Sequence, residues 1–253
     1  SDLEISIQKT ISVNVEEPGS AVVVSKLFGD IIRKLPNEEI LLEQAEDGSI
    51  LIRTHSSEFT VVSLPVDEFP KVGDQEEERE HLIFDAEIFK DMVKQTSFAA
   101  SVDESKGVLV GVLTEIHPQS VSMVALDGYR LAVSTEKMNS GQENHFIISA
   151  KIINEISKII AEDGDAEEVE IYLGKKKATF RIDTTEIVLR LMEGEYIKYR
   201  DIMPTQSTTD IVIGRAILQE SIERASLLAR EGKNNLIKMT IKNNLLTITS
   251  RSE

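Results

Sequence analysis

The sequence LIFDAEIF, residues 82 to 89, decides the fold, because its pattern recurs without a gap as IVIGRAIL, residues 211 to 218. In both copies an alternating apolar run passes directly into apolar residues at helical spacing. A second overlay has an offset of 125 instead of 129 and places Ile147–Ile152 over Val22–Leu27. The two overlays therefore predict two related kinds of β-α segment that alternate along the chain.

Four amphipathic helices are predicted at nearly equal spacing, since their first apolar residues are Leu27, Ile88, Ile152 and Ile217. Short runs in which apolar residues recur at every second position predict about three strands after each helix. One further strand precedes each helix, at Val22–Val24, Leu82–Phe84, Phe146–Ile148 and Ile211–Ile213. The repeating unit is a β-α-β-β-β half of roughly 60 residues, and two halves make a domain. A single α+β domain with evenly spaced helices is the alternative.

The predicted fold class is α+β, with a complete domain at residues 74–206 between half-domains at residues 1–73 and 207–253. The acidic segment Lys71 to His81 and the polar segment Thr205 to Thr209 are the predicted linkers. The chain has no initiator Met and opens inside a strand pattern, so we expect it to be a fragment of a longer protein.

The composition of the 253 residues excludes several classes of protein. The absence of Cys excludes disulfides, Cys-zinc sites and thiol catalysis, and it suits a reducing, cytoplasmic environment. No apolar stretch approaches the roughly 20 residues that cross a bilayer. There are 28 Lys and Arg against 44 Asp and Glu, a net charge of −16, which argues against a simple nucleic-acid-binding protein.

The negative charge is not evenly distributed, because the four predicted helices together carry +3 and the remainder −19. This distribution allows the helices to face a phosphate backbone while the rest of the surface repels nonspecific contacts. The alternative is that these cations only solvate the outer faces of the helices. The candidate DNA-facing residues are Lys26, Arg33, Lys90, Lys94, Lys151, Lys158, Arg215 and Arg224.

No motif predicts a catalytic residue, a bound metal or a cofactor. The four His residues are scattered and have no metal-ligand spacing. Gly174–Lys177 lacks the upstream Gly and the Ser or Thr of a phosphate-binding loop, and it predicts a hairpin turn. A hydrolase that uses Asp127, Tyr129 and Arg130 has no nearby His to act as its base.

The segment ALDGYRLA, residues 125 to 132, predicts a strand, an Asp-Gly turn and a second strand. By pattern alone it is an ordinary hairpin with Arg130 in a surface ion pair. Taken with EGEYIKYRDIMP at residues 193–204 and LPVDEFP at residues 64–70, however, it resembles the signatures of the bacterial DNA polymerase III beta subunit, the sliding clamp. The second segment resembles the family pattern E/D-G-x-F-P-D-Y-x-x-x-x-P, and the resemblance extends over the whole chain.

The resemblance implies a DNA clamp fold, with helices lining the inner face and antiparallel sheets outside. It implies that the full-length protein is a homodimeric ring around double-stranded DNA, without sequence specificity and without an active site. Such a processivity factor tethers the polymerase III alpha subunit, the clamp loader and other clamp-binding-motif proteins. Relative to the family, the chain lacks the first half of domain I and the last half of domain III. The alternative function is an acidic peptide-binding scaffold that does not enclose DNA.

Clamps of this family bind short peptides in an apolar cleft between domains II and III. By position, the resemblance assigns to this cleft Leu109, Leu126, Gly128, Tyr129, Arg130, Leu131, Ile197 and Ile202. Ile197 stands where the family usually has Pro, and Asp201 where some members have Arg. We therefore expect peptide affinity and charge preference to differ from those of other members.

Overall fold

The computed structural model describes residues 4–69, 80–163, 166–232 and 235–251. The chain divides into two compact units, Ser1–Ile197 and Lys198–Glu253, and each is described by itself. The first unit begins with β1 (Ile5–Lys9), α1 (Ser25–Lys34), β2 (Leu41–Gln44), β3 (Ile50–Arg53) and β4 (Glu58–Val61).

The remainder of the first unit consists of two halves with the same order of elements. The first half is β5 (Glu80–Asp85), α2 (Ala86–Thr96), β6 (Gly111–His117), β7 (Ser120–Leu126) and β8 (Leu131–Lys137). The second half is β9 (Asn144–Ser149), α3 (Ala150–Asp163), β10 (Glu168–Leu173), β11 (Lys177–Ile182) and β12 (Thr185–Arg190). The predicted β-α-β-β-β repeat is therefore confirmed.

Each half contributes its leading strand to the sheet of the other half. Strand β5 pairs with β10, and strand β9 pairs with β6, both antiparallel. The two sheets have the orders β1-β12-β11-β10-β5 and β8-β7-β6-β9. A strand edge with unpaired amides can pair with another chain. This exchange covers one such edge of each half with a strand of the other half. The two halves therefore form one domain rather than two small ones.

One hydrophobic core joins α2 and α3 to both sheets, and the two helices also contact each other. Phe89 on α2 and Ile153 and Ile156 on α3 are completely buried, as the apolar spacing predicts. Asp85 caps the start of α2, where its Oδ1 accepts the Ile88 backbone N–H at 2.9 Å. Burial of each such side chain contributes about 1.5–3 kcal/mol, so these faces hold the helices in place.

The predicted strands at Val22–Val24 and Ile211–Ile213 are wrong. Val22 makes one isolated bridge to Leu64, and residues 211–213 form no ladder with a described residue. In the complete domain the equivalent strands, β9 and β5, pair with the sheet of the opposite half. No such opposite half accompanies either segment among the described residues, so an apolar alternation alone does not make a strand there.

The second unit contains α4 (Tyr199–Ile202), α5 (Arg215–Ala229) and the hairpin of β13 (Ile237–Lys242) and β14 (Leu245–Ser250). Between α4 and α5, residues 205–209 are irregular and exposed. Most of the predicted acidic linker lies outside the described residues. Its last two members, Glu80 and His81, belong to β5. The three-part division at 1–73, 74–206 and 207–253 stays a prediction. No helix among the described residues has the length and apolarity that a membrane span requires.

Candidate functional site

The hairpin between β7 and β8 is built around the carboxylate of Asp127. Its Oδ1 accepts the backbone N–H groups of Tyr129 at 2.9 Å and Arg130 at 3.1 Å. Its Oδ2 accepts the Nε–H of Arg130 at 3.0 Å. Gly128 has a φ of 96°, a conformation that glycine adopts without strain. The predicted hairpin and its ion pair are confirmed.

The hydrogen bond from the Tyr129 N–H, with those from Arg130, lowers the pKa of Asp127 below its ordinary value. The carboxylate is therefore ionised near neutral pH. On its other side the Arg130 guanidinium lies 5.6 Å from the ring centroid of Phe98, close enough for a cation–π contact. Arg130 is thus held between an anion and an aromatic face.

Phe98 was not predicted as part of this site. It follows α2 in a short 3-10 turn, Ser97–Ala99, and its side chain remains 58% exposed. The signal available in the sequence was a large apolar residue just beyond the end of an amphipathic helix. Only the fold shows that this residue is adjacent to Arg130.

The predicted apolar residues of the hairpin differ in accessibility. Leu126 is 2% exposed and offers almost no surface to a ligand, and its assignment to the cleft stays a prediction. Leu131, which is opposite Leu126 in the ladder, is partly exposed, and Tyr129 is fully exposed. Leu126 is not part of the core that holds the helices, whose β7 members are Val121, Met123 and Ala125, so by strand alternation it is buried on the opposite face of the sheet.

The segment that follows β12 runs back to this hairpin. The Met192 N–H donates to the Ile147 carbonyl at 2.9 Å. Gly194 has a φ of 138°, and a Cβ there would be 2.8 Å from Cγ1 of Val108. The hydroxyl of Tyr196 then contacts the ends of β6 and β7. These contacts place partly exposed Ile197 at the end of a segment that is fixed to the two strands.

Seven of the eight predicted cleft residues lie in the first unit. Leu109 is partly buried beside Val108, and its carbonyl accepts the Ser101 N–H at 2.8 Å. Ile202 lies on α4 in the second unit and is 60% exposed. The site that can be described consists of the hairpin, Leu109 and the segment that ends at Ile197.

The eight candidate cations divide into two groups of four. Arg33, Lys90, Lys158 and Arg224 each form an ion pair with a carboxylate three or four residues earlier on the same helix. Lys26, Lys94, Lys151 and Arg215 are exposed, and none forms an ion pair with another described residue. An external anion that approaches the second group has no described carboxylate partner to replace.

Comparison with known families identifies the chain. Family models of the DNA polymerase III beta subunit match it in three consecutive parts: the N-terminal domain at residues 1–73, the central domain at 84–198 and the C-terminal domain at 200–253. The beta sliding clamp of Staphylococcus epidermidis is 34% identical over the whole chain, which covers 68% of that protein. The chain belongs to the beta sliding clamp family.

Further relatives agree with this assignment. The clamp of Bacillus subtilis is 31% identical over 96% of the chain and 66% of its own length. The crystal structure of the beta subunit from Thermotoga maritima superimposes with a TM-score of 0.89 at 26% identity, over 98% of this chain and 66% of that one. The crystal structure of the sliding clamp of Bacillus subtilis superimposes with a TM-score of 0.87 at 28% identity, over 100% of this chain and 71% of that one. The chain thus spans about two thirds of the length of these clamps.

The assignment confirms the clamp fold and the processivity function that the sequence predicted. Clamps of this family are non-catalytic subunits of the DNA polymerase III holoenzyme, so the hydrolase hypothesis for Asp127, Tyr129 and Arg130 is wrong. The acidic scaffold that never encloses DNA is not favoured. The roles of individual residues in DNA and peptide binding stay predictions.

Proposed function

We propose that this chain is part of a homodimeric ring that encloses duplex DNA and holds clamp-binding proteins through short peptides. The observation that carries the proposal is the duplicated domain, in which α2 and α3 contact each other over one core and carry exposed cations. A ring retains DNA by topology, so its contacts with phosphate need only be weak. Duplex DNA as the partner implies a cytoplasmic location.

The unpaired cations Lys26, Lys94, Lys151 and Arg215 are the favoured phosphate contacts. A phosphate that approaches one of them does not compete with a carboxylate on the same helix, whereas it does at Lys90 or Lys158. The aromatic residues of these helices, Phe28 on α1 and Phe89 on α2, pack into hydrophobic cores, so base readout is not expected. Contact with the backbone alone agrees with a clamp that moves along any sequence.

The hairpin and the segment ending at Ile197 are the favoured peptide site. Leu109, Leu131 and Ile197 offer partly exposed apolar side chains for the anchor residues of a peptide. Asp127 already occupies the Nε–H of Arg130, so its remaining guanidinium N–H groups are the donors for peptide carbonyl or amide oxygens. Tyr129, fully exposed, forms the rim. Apolar anchors surrounded by polar groups are typical of peptide-binding clefts.

A topological experiment tests enclosure of DNA. The full-length protein that contains these residues is placed on nicked circular duplex DNA by a clamp loader and then separated from free protein by gel filtration. We expect it to stay with circular DNA and to leave after one restriction cut. Equal loss from circular and linear DNA contradicts a ring.

A binding experiment tests the peptide site. Fluorescence polarisation with a labelled peptide that carries the clamp-binding motif of a polymerase III alpha subunit compares Arg130→Ala with Arg181→Ala, an arginine on β11 of the other sheet. We expect about tenfold weaker binding for Arg130→Ala, the usual loss for a hydrogen bond to a charged group, and no change for Arg181→Ala. Equal affinity of both variants contradicts this site. Peptide binding without retention on circular DNA favours the scaffold.

A further inference from the structure

The ladder between β6 and β7 ends before the strands do. Its last pair at this end is Leu113 with Val124. Strand β6 nevertheless begins at Gly111, and β7 continues to Leu126. In an antiparallel ladder the next hydrogen-bonded pair would be Gly111 with Leu126. That pair is missing from the ladder.

The hydroxyl of Tyr196 lies at the missing position. It donates toward the Gly111 carbonyl oxygen at 3.3 Å, and the Val124 carbonyl oxygen is a second, more distant acceptor at 3.5 Å. The same hydroxyl oxygen accepts the Leu126 backbone N–H. A phenol has one proton and two lone pairs, so it can connect an amide donor to a carbonyl acceptor. Burial raises the pKa of Tyr196 to about 12, which keeps the phenol protonated at working pH.

A side chain enters the ladder here because β6 has a glycine at this position. A Cβ at Gly111 would be 2.6 Å from Cγ2 of Ile147 and 2.7 Å from Sδ of Met192. The glycine thus allows the segment from Met192 to Tyr196 to pass close to the strand end. The hydroxyl satisfies backbone groups that would otherwise be buried without partners.

Both sides of this bridge continue directly into the proposed peptide site. Leu126 precedes Asp127, whose carboxylate positions Arg130. Tyr196 precedes Ile197, a partly exposed apolar residue. The hydroxyl therefore sets the distance between the polar and the apolar sides of the site.

We propose that Tyr196 is a positioning residue of the peptide site, whose hydroxyl replaces the missing β6–β7 pair and fixes Ile197 beside the Asp127 hairpin. The proposal rests on the proposed function for the role of the peptide, although the bridge itself is a property of the free protein. Its hydroxyl is occupied by backbone groups of β6 and β7, so its effect on binding is indirect.

The test compares Tyr196→Phe with Tyr172→Phe. The second variant removes a hydroxyl that donates to Glu170 on β10, in the other sheet. Hydrogen exchange of the free protein, followed residue by residue with NMR, reports the Leu126 amide. We expect its exchange to become about tenfold faster in Tyr196→Phe, the factor that a net hydrogen bond contributes, and to stay unchanged in Tyr172→Phe. The peptide dissociation rate is expected to rise about three- to tenfold for Tyr196→Phe only, measured well below the melting temperatures of both variants, because loss of a buried hydrogen bond also lowers the melting temperature by about 2–4 °C.

Two results overturn the proposal: an unchanged exchange rate of the Leu126 amide, or faster exchange with an unchanged peptide dissociation rate. An equal rise of the dissociation rate in Ile156→Val, a core variant on α3 that also lowers the stability, overturns it too, because the role is then general stability. Failure of the unaltered protein to bind the peptide at all contradicts the proposed function instead, and the exchange measurement separates that case.

Discussion

Asp127 holds Arg130 through both of its carboxylate oxygens, one on the backbone N–H and one on the side-chain Nε–H. The same carboxylate therefore shapes the turn and aims the guanidinium at the Phe98 ring. Turn geometry and the position of the charge cannot be changed independently. The arrangement therefore presents the Arg130 guanidinium in a fixed position.

We expect Asp127→Ala to weaken peptide binding about tenfold, because both the turn and the Arg130 side chain lose their acceptor. Asp127→Asn is the matched control, since its amide oxygen can still accept the backbone N–H groups. Because its NH2 group cannot accept the Arg130 Nε–H, it should lose part of the affinity, but less than Asp127→Ala. Fluorescence polarisation measures both variants, and equal loss in the two would show that charge alone matters.

The pH dependence of this hairpin follows from the lowered pKa of Asp127. A carboxyl group with a folded pKa below its ordinary 3.8 contributes stability above that value and loses it as the pH falls through the folded pKa. Peptide affinity should therefore be flat from about pH 6 to 8 and decline only in stronger acid. Titration of the hairpin amides by NMR measures this, and a transition near neutrality would contradict it.

Gly111→Ala should destabilise the protein, since the new methyl group would overlap the side chains of Ile147 and Met192. Overpacking of this kind costs about 1–3 kcal/mol in the free energy of unfolding. Gly19→Ala is the control, because a Cβ there meets nothing within 4 Å. Urea denaturation of both variants gives the comparison, and equal midpoints would show that the strand end adapts without cost.

Thr114 on β6 is completely buried, and its hydroxyl has no hydrogen-bond partner within the described ranges. Thr114→Val should therefore raise the free energy of unfolding by about 1 kcal/mol, because it removes a buried polar atom at equal shape. Thr96 is equally buried, but its hydroxyl donates to the Met92 carbonyl at 2.7 Å. Thr96→Val should give no such gain in urea denaturation. A loss in Thr114→Val would reveal a bound water.

The two groups of helix cations should differ in their contribution to DNA binding. The double variant Lys94→Gln with Lys151→Gln should reduce the dependence of log affinity on log salt by about 0.9 for each lost phosphate contact. The double variant Lys90→Gln with Lys158→Gln removes lysines that are paired with Glu87 and Glu155. It should change the salt dependence of the affinity less. Salt titrations with a nicked duplex distinguish them, and equal slopes would remove the distinction between paired and unpaired cations.

The sequence predicted the complete domain well because both kinds of half are present in it. The apolar spacing of α2 and α3 and the Asp-Gly hairpin are local patterns, and local patterns determine these elements. The strands at Val22–Val24 and Ile211–Ile213 were wrong because pairing depends on a distant partner that no local pattern shows.

The candidate site was predicted only in part for the same reason. The resemblance placed Leu126, Arg130 and Ile197 in one cleft, but the burial of Leu126 depends on what packs against β7. The Phe98 ring and the Tyr196 hydroxyl join residues separated by more than 30 positions. Such contacts arise from the meeting of strands, which periodicity does not describe.

The exchange of leading strands has a consequence for synthesis on the ribosome. Strand β5 is made before its partner β10, which begins 83 positions after β5 ends. By then the whole sheet of β6 to β9 has been translated. The nascent chain therefore carries an open strand edge until the second half emerges. Translation speed and chaperone access across that interval determine whether the edge closes within its own chain or meets the edge of a neighbouring nascent chain.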